Sequence, residues 1–365
     1  MNDLIQLKTV QSRAFRLIRP QVIEETIIEH FVRPHEVIIE PTLASICHAD
    51  LRYYTGNRRP EALVKKLPMA LIHEGIGVII DSTHPEFSPG QRVVIVPNIP
   101  GCSLSKENIE EWCPACKKGI GENYCLRGRF LGSGTDGIAQ SRLVMPTKCV
   151  IPIPEQVPDE IAVLTELCSV SYQALQHVEK QLQTARVAVF GDGPVGYLTA
   201  AMIHHLYRVS QDHLRVFGAI SEKLDQFQFA ERSLVQDYDF NNGEKVDIAV
   251  ECTGGRFSSN AINQAIQILN PGGFLILMGV SEEWVPINTR DILEKGITIV
   301  GSSRSSSYDY PPVLEAMKDP EYQKTLRRII PEQHLPIRTV EEFDNALSDA
   351  AKHPNWKKSI LKFIW

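Results

Sequence analysis

The sequence predicts an α/β protein of two domains, one β-rich and one built on a doubly wound parallel sheet. Three observations carry that prediction. Short β-branched apolar runs, broken by Gly and Pro, fill the first 150 residues. Beyond the Pro-rich stretch VIPIPEQVPDE (150–160), apolar strand candidates alternate with segments of helical length, the pattern of βαβ units. The first of those units places Gly191, Gly193 and Gly196 in a G-x-G-x-x-G turn between strand and helix.

Taken in chain order, HEVIIEPTLAS, GIGVIIDS and GQRVVIVPN read as strands of the β-rich part. A helical stretch is predicted at 159–178. The strands RVAVF, HLRVFGAI, KVDIAVECTGG, GGFLILMGV and GITIVGSS follow, with helical segments between them. The last sixty residues hold Pro-rich turns, a helix over TVEEFDNALSDAAKHP and a final strand, SILKFIW. That strand has no partner in the βαβ region and is expected to return to the first domain. The expected domains are therefore 1–154 with 304–365, and 155–303.

A chain of 365 residues suits two cores better than one. Its net charge of −6 argues against a nucleic-acid or membrane-surface partner. The N-terminus lacks a basic region followed by an apolar stretch, and no apolar run reaches the roughly 18 residues of a membrane span. A cytoplasmic protein is expected. Eight cysteines without an export signal point to metal ligands or buried thiols rather than disulfides.

The glycine turn is more specific than its pattern alone, because it directly follows RVAVF and opens an apolar helix bearing Val195, Leu198 and Met202. Glycines allow a tight turn and close approach of a pyrophosphate, whose charge the helix N-terminus favours. In the next strand an acidic residue would grip a ribose 2′-hydroxyl, but the aligned position holds Gly218. No carboxylate there repels a 2′-phosphate, and Ser221 and Lys223 could receive it. NADPH is expected over NADH.

LASICHADLRYYT (43–55) and ALIHEGIGVII (70–80) set a thiol, imidazoles and carboxylates into apolar surroundings. These are zinc ligand types. Cys47 and His73 are the first-choice ligands, Glu74 could ligate or sit just behind, and Glu166 offers a further carboxylate. Asp50 could hold the far nitrogen of His73 and fix its tautomer. Taken singly, each has a bland reading as a buried thiol, a core histidine or a solvated helix face; together, ahead of a nucleotide loop, they favour a catalytic metal. A second group, Cys102, Cys113, Cys116 and Cys125, could close a tetrahedral structural zinc site. Cys149, Cys168 and Cys252 read as buried thiols.

With these motifs placed, the chain resembles the zinc-dependent medium-chain dehydrogenases, of the alcohol and sorbitol dehydrogenase kind, from end to end. SICHAD is similar to that family's first zinc motif, IHEG to its Gly-His-Glu motif, and LTELCSVSYQAL to the Glu-bearing segment of its polyol members. The resemblance implies a GroES-like catalytic domain, a Rossmann domain and an active site in the cleft. The cysteine lobe departs from the family pattern, since ten residues separate Cys102 from Cys113. That departure makes Cys102 the questionable ligand. RYYTGNRRPEALVKKLPMALIHEG, ECTGGRFSSNAINQAI and NTRDILEKGITIVGSSRSS further resemble the ribulose-5-phosphate reductases that make ribitol 5-phosphate for teichoic acids and capsules.

That resemblance implies zinc and NADPH as cofactors and a small phosphorylated sugar as substrate. It also implies a homo-oligomer, with a cytidylyltransferase of the same pathway as a candidate partner. Ala49 stands where alcohol dehydrogenases carry a proton-relaying Ser or Thr, so the proton would come through His48 or a zinc-bound water. Arg304, beside Ser303, and Arg52 are candidates to grip the phosphate, and Tyr53 could also reach substrate. Arg58, Arg59, Lys65 and Lys66 are more readily read as solvated loop cations. Alternatives are an NAD-dependent sorbitol- or xylitol-type dehydrogenase, a zinc-free quinone reductase, and a catalytically silent NADPH-binding protein.

Overall fold

The computed structural model describes residues 8–101, 113–353 and 355–365. The chain divides into two compact units, Met1–Glu166 with Ser305–Glu315 and Ile330–Trp365, and Leu167–Arg304 with Ala316–Ile329.

The first unit is β-rich. Lys8–Arg19 and Val22–Val32 form a long antiparallel hairpin whose turn places Gln21 at a φ of 60°. Leu17 and Arg16 of that hairpin pair with Met69–Ala70. A larger sheet runs in the order Val150–Pro152, Arg92–Ile95, Glu74–Ser82, Glu36–Ser45, Ile360–Phe363, Leu335–Ile337, with Leu143–Pro146 also on Glu36–Ser45. Most of the central strand is buried, and Val37, Ile39 and Ala44 are fully so. The final strand does return here, pairing antiparallel so that Ile360 faces Ser45 and Leu361 faces Ala44.

The second unit carries a six-stranded parallel sheet. Its order is Glu231–Leu234, Leu214–Gly218, Val187–Phe190, Val246–Glu251, Leu269–Leu277, Thr298–Gly301. Numbered along the chain that is 3-2-1-4-5-6, the doubly wound dinucleotide-binding order, with its reversal point at Val187–Phe190. Phe190, Phe217 and Phe240 stack in its core. Glu231–Leu234 is a strand inside a segment that the sequence pattern reads as helical, since ERSL is polar and lies at the sheet edge. There Arg215 bridges to Glu231 across the pair.

The unit boundaries differ from the expected ones for visible reasons. Arg92 donates to Asp159 at 2.7 Å and to the Val157 carbonyl at 2.7 Å, so residues up to Glu166 stay with the β-rich unit. The predicted helix at 159–178 is two, Asp159–Ala162 and Thr165–Gln176. Ala316–Ile329 belongs to the nucleotide unit, where the Thr325 carbonyl accepts from the Tyr197 hydroxyl at 2.9 Å and Arg328 donates to Gln226 at 2.9 Å.

Candidate active site

Strand register assembles the metal-type cluster. Ser45 ends the central strand of the larger sheet directly opposite Glu74, which begins its neighbour. Two residues past Ser45, Cys47 caps the helix His48–Tyr54, and Asp50 accepts from the Cys47 amide at 2.9 Å. The same carboxylate accepts from the Ile72 amide at 3.1 Å and lies 3.3 Å from His73 Nδ1. One fully buried Asp therefore ties both ligand segments together and fixes the His73 ring, leaving the other ring nitrogen to a metal. Ile72 is held at a φ of 72°, a costly conformation for a β-branched residue, immediately before His73. Backbone contacts enforce it, because the Ile72 carbonyl accepts from Ile138 at 2.8 Å.

Cys47, His73 and Glu74 bring their ligand atoms within 4.8 Å of one another. Glu74 is fully buried; its Oε2 takes Lys358 at 2.8 Å and the Ser45 hydroxyl, while its Oε1 has no hydrogen-bond partner. A buried carboxylate oxygen left over beside a thiol and an imidazole is a donor set that fits zinc. Burial raises the Cys47 thiol above its ordinary range, and Glu74 adds to that. Burial alone would lower His73, but Asp50 and Cys47 outweigh it and hold the imidazole well above its usual value. For Glu74 the ranking is similar: burial opposes ionisation, and Lys358 and His73 overcome it. Glu166 is buried at the start of Thr165–Gln176, outside this three-residue cluster. Burial pushes its carboxyl up to about 7, with His73 pulling the other way and Glu74 reinforcing it.

Lys358 is a residue that sequence reasoning missed. It is buried, donates to the Ile46 carbonyl at 3.0 Å and pairs with Glu74, because the final strand docks beside Ser45. Nothing near Lys358 in the sequence signals that; only the pairing of SILKFIW with the first domain hints at it.

His48 opens the helix on an exposed position, four residues before half-buried Arg52. Desolvation and then the Arg52 charge lower its pKa. Tyr53 is buried, with its hydroxyl 2.9 Å from Lys66 Nζ and 3.1 Å from Ser133 Oγ. Arg304 ends the Leu167–Arg304 segment of the nucleotide unit, exposed and at a φ of 62°.

In the nucleotide unit, Gly191 follows the first strand at a φ of 131°, and a Cβ there would press on the Cys252 backbone at 3.2 Å. Gly193 caps the helix Pro194–His205 with open space where a side chain would be, room for a phosphate to approach. Any Cβ on Gly196 would collide with the Gly191 carbonyl, so helix and strand pack backbone to backbone. Gly218 does end the second strand, but its space is taken. A Cβ would meet Asp192 at 2.7 Å, and the Asp192 carboxylate accepts from Ala219 and Ile220 at 2.8 and 3.0 Å. Ser221 and Lys223 lie just beyond, on the short helix Ser221–Leu224.

Cys113, Cys116 and Cys125 form a second cluster with sulfurs within 4.8 Å of one another. Amide donors, that of Cys116 first and then Leu126, bring Cys113 down to about 6. Burial and the two neighbouring thiols push Cys116 up to about 12. Three thiols at that spacing fit a structural zinc. Cys102, expected as the fourth ligand, lies outside the described residues.

Residues 33–155 match the alcohol dehydrogenase GroES-like domain and residues 213–319 the zinc-binding dehydrogenase domain. A ribulose-5-phosphate reductase of Bacillus spizizenii is 36% identical over 96% of this chain and 99% of its own. Ribulose-5-phosphate reductase 1 of Staphylococcus aureus is likewise 36% identical, over 97% of this chain and 99% of its own. Among solved structures, S. aureus TarJ in complex with NADPH aligns with a TM-score of 0.81 and 32% identity, covering 98% of this chain and 100% of that one. The fold, the intact thiol–imidazole–carboxylate cluster and these matches agree: the chain belongs to the zinc-dependent medium-chain dehydrogenase/reductase family and is similar over almost its whole length to the ribulose-5-phosphate reductases.

Proposed function

We propose that this protein reduces D-ribulose 5-phosphate to D-ribitol 5-phosphate with NADPH, using a catalytic zinc ion. The observation that carries the reading is the preassembled Cys47–His73–Glu74 cluster, with its orphaned carboxylate oxygen, in a chain that matches ribulose-5-phosphate reductases end to end. Bound zinc supplies Lewis-acid polarisation of the C2 carbonyl, and bound NADPH supplies the hydride. Cys47 and His73 hold the metal, with Glu74 beside them and Glu166 as a further buried carboxylate. Asp50 keeps the proton on His73 Nδ1 so that the ligand nitrogen is unprotonated. Lys358 keeps Glu74 ionised.

The new hydroxyl needs a proton. Ala49 has none to give, so His48, exposed on the first turn, is the chain's own donor. Arg52 and Arg304 are proposed as cationic contacts to substrate, with Tyr53 on the same helix as Arg52. Gly191, Gly193 and Gly196 receive the coenzyme pyrophosphate at the helix Pro194–His205, while Ser221 and Lys223 receive the 2′-phosphate. Cys113, Cys116, Cys125 and Cys102 are proposed to hold a structural zinc.

A homo-oligomer is also proposed. The outer strand Thr298–Gly301 has one strand partner among the described residues, and Trp284 and Leu293 nearby in sequence are exposed. No helix among the described residues is long and apolar enough to cross a membrane. A cytoplasmic location and a cytidylyltransferase partner complete the proposal. The test is turnover of ribulose 5-phosphate by zinc-loaded protein and by His73→Ala. Abolished turnover in the variant with NADPH binding retained supports the reading, and a near-normal rate at full zinc content overturns it.

A further inference from the structure

Three chain segments bring cations and hydroxyls together beside the metal-type cluster. Tyr53 lies on the helix that Cys47 caps, Lys66 ends the helix Pro60–Lys66, and Ser133 follows the strand Arg129–Phe130. Lys66 Nζ donates to the Tyr53 hydroxyl at 2.9 Å and to Ser133 Oγ at 2.8 Å, and the two hydroxyls are 3.1 Å apart. The Arg58 guanidinium stands 4.6 Å from the Tyr53 ring centroid and Lys66 Nζ stands 5.6 Å from it. Among the described residues, Lys66 pairs with no carboxylate. The Gly134 backbone packs against its stem, since a Cβ there would lie 3.3 Å from Lys66 Cγ. A half-buried ammonium that meets two neutral hydroxyls and no anion has spare positive charge and a fixed direction.

The position of this group also matters. Tyr53 is six residues along the helix from Cys47, about 9 Å at 1.5 Å per residue. The Phe130 ring lies 5.4 Å from the His73 ring, and the Phe130 carbonyl accepts from the Ser133 amide at 3.1 Å. The cluster is therefore next to the metal ligands without being one of them. An open-chain ketose phosphate carries its carbonyl near one end and its phosphate at the other, and needs two sites so separated.

We propose that Lys66, Tyr53 and Ser133, flanked by Arg58, form a prebuilt seat for the phosphate group of the substrate. The inference rests on the reading of the chain as a reductase of a phosphorylated ketose. Lys66 supplies the charge, and the hydroxyls of Tyr53 and Ser133 each supply one donor to a phosphate oxygen. Burial by itself would raise the Tyr53 phenol, but Lys66 and Ser133 outweigh it and lower its pKa, which makes the hydroxyl a stronger donor. The seat selects phosphorylated over free sugars, because an unphosphorylated ketose would leave Lys66 unneutralised.

The test compares kcat/KM for ribulose 5-phosphate with that for free ribulose in zinc-loaded wild type, Lys66→Met, Lys66→Arg, Ser133→Ala, Arg304→Ala and Arg52→Ala. Binding of inorganic phosphate to the same samples is measured by calorimetry. Lys66→Met should lower the phosphorylated-to-free ratio tenfold or more and weaken inorganic phosphate similarly, and Lys66→Arg should restore most of both. An unchanged ratio and unchanged phosphate affinity in Lys66→Met would overturn the seat. So would a loss of discrimination confined to Arg304→Ala and Arg52→Ala. If wild type leaves ribulose 5-phosphate unreduced, the functional reading fails, and the phosphate titration of wild type against Lys66→Met still decides the seat. Should Lys66→Met not fold, Ser133→Ala carries the comparison, with a several-fold fall in the ratio expected and no fall contradicting the proposal.

Discussion

Asp50, Lys358 and Glu166 are buried ionisable groups, and each makes the site testable. Lys358 is the cation that keeps Glu74 charged inside the β-rich unit. Removing one member of a buried pair leaves the other uncompensated, so Lys358→Met should destabilise the zinc-free protein by about 3–5 kcal/mol. Urea unfolding measures this, and Lys358→Arg should recover much of the loss. Asp50→Asn keeps the shape but removes the charge that orients His73, and zinc affinity should fall about 10–100-fold. Competition with a chromophoric chelator reads it directly. Glu166 gives a pH signature. Its folded value of about 7 lies above the ordinary 4.5, so between these the folded chain holds a proton the unfolded chain has shed. Unfolding then releases a proton, and stability of the chelated protein should fall as pH rises from about 4.5 to 7. Melting Glu166→Gln across that range should show a flatter profile.

Elements rather than single residues decide the coenzyme loop and the cysteine lobe. Replacing Gly218 by Asp looks like a simple exchange of NADPH for NADH preference when only the strand end is considered. The structure predicts otherwise, because Asp192 from the glycine turn fills the space and bonds the amides of Ala219 and Ile220. Gly218→Asp should therefore displace Asp192 and weaken both coenzymes, and Gly218→Ala should do so to a lesser degree. Fluorescence titration with NADPH and NADH tests this; a clean reversal of preference would contradict it. In the lobe, Cys113 already gains amide donors while Cys116 is held as a thiol by its neighbours. A bound zinc would draw both sulfurs to the thiolate form, so Cys113→Ser should lower Tm and zinc content while kcat changes little. The helices and parallel strands of the nucleotide unit are legible from periodicity and from the glycine turn. Glu231–Leu234 is not, since it is a polar edge strand that pairs with Leu214–Gly218 through its backbone, with Arg215 bridging to Glu231, and no apolar alternation marks it.

At the scale of the whole chain, legibility follows sequence separation. Cys47, Asp50, His73 and Glu74 stand in two short motifs. Their chemistry is legible from local sequence alone, because thiol, imidazole and carboxylate rarely share an apolar run without cause. Lys358 contacts Ile46 across 312 residues, and Lys66 reaches Ser133 across 67. Such meetings are products of strand order and helix direction, which local pattern does not encode. Lys66 in particular reads as a solvated cation in VKKLP; its two hydroxyl partners come from other segments. The domain boundaries shift for the same reason, through Arg92 and Thr325 contacts that no composition change marks. The central claim joins zinc, NADPH and a phosphorylated ketose in one reaction, and one experiment addresses all three: steady-state reduction of ribulose 5-phosphate by protein whose zinc content is determined on the same sample, with NADPH and NADH in parallel. The account predicts turnover that disappears on chelation and returns with zinc, with kcat/KM at least tenfold higher for NADPH, about 1.4 kcal/mol. Undiminished turnover in zinc-free protein, or a preference for NADH with unphosphorylated polyols, would contradict it.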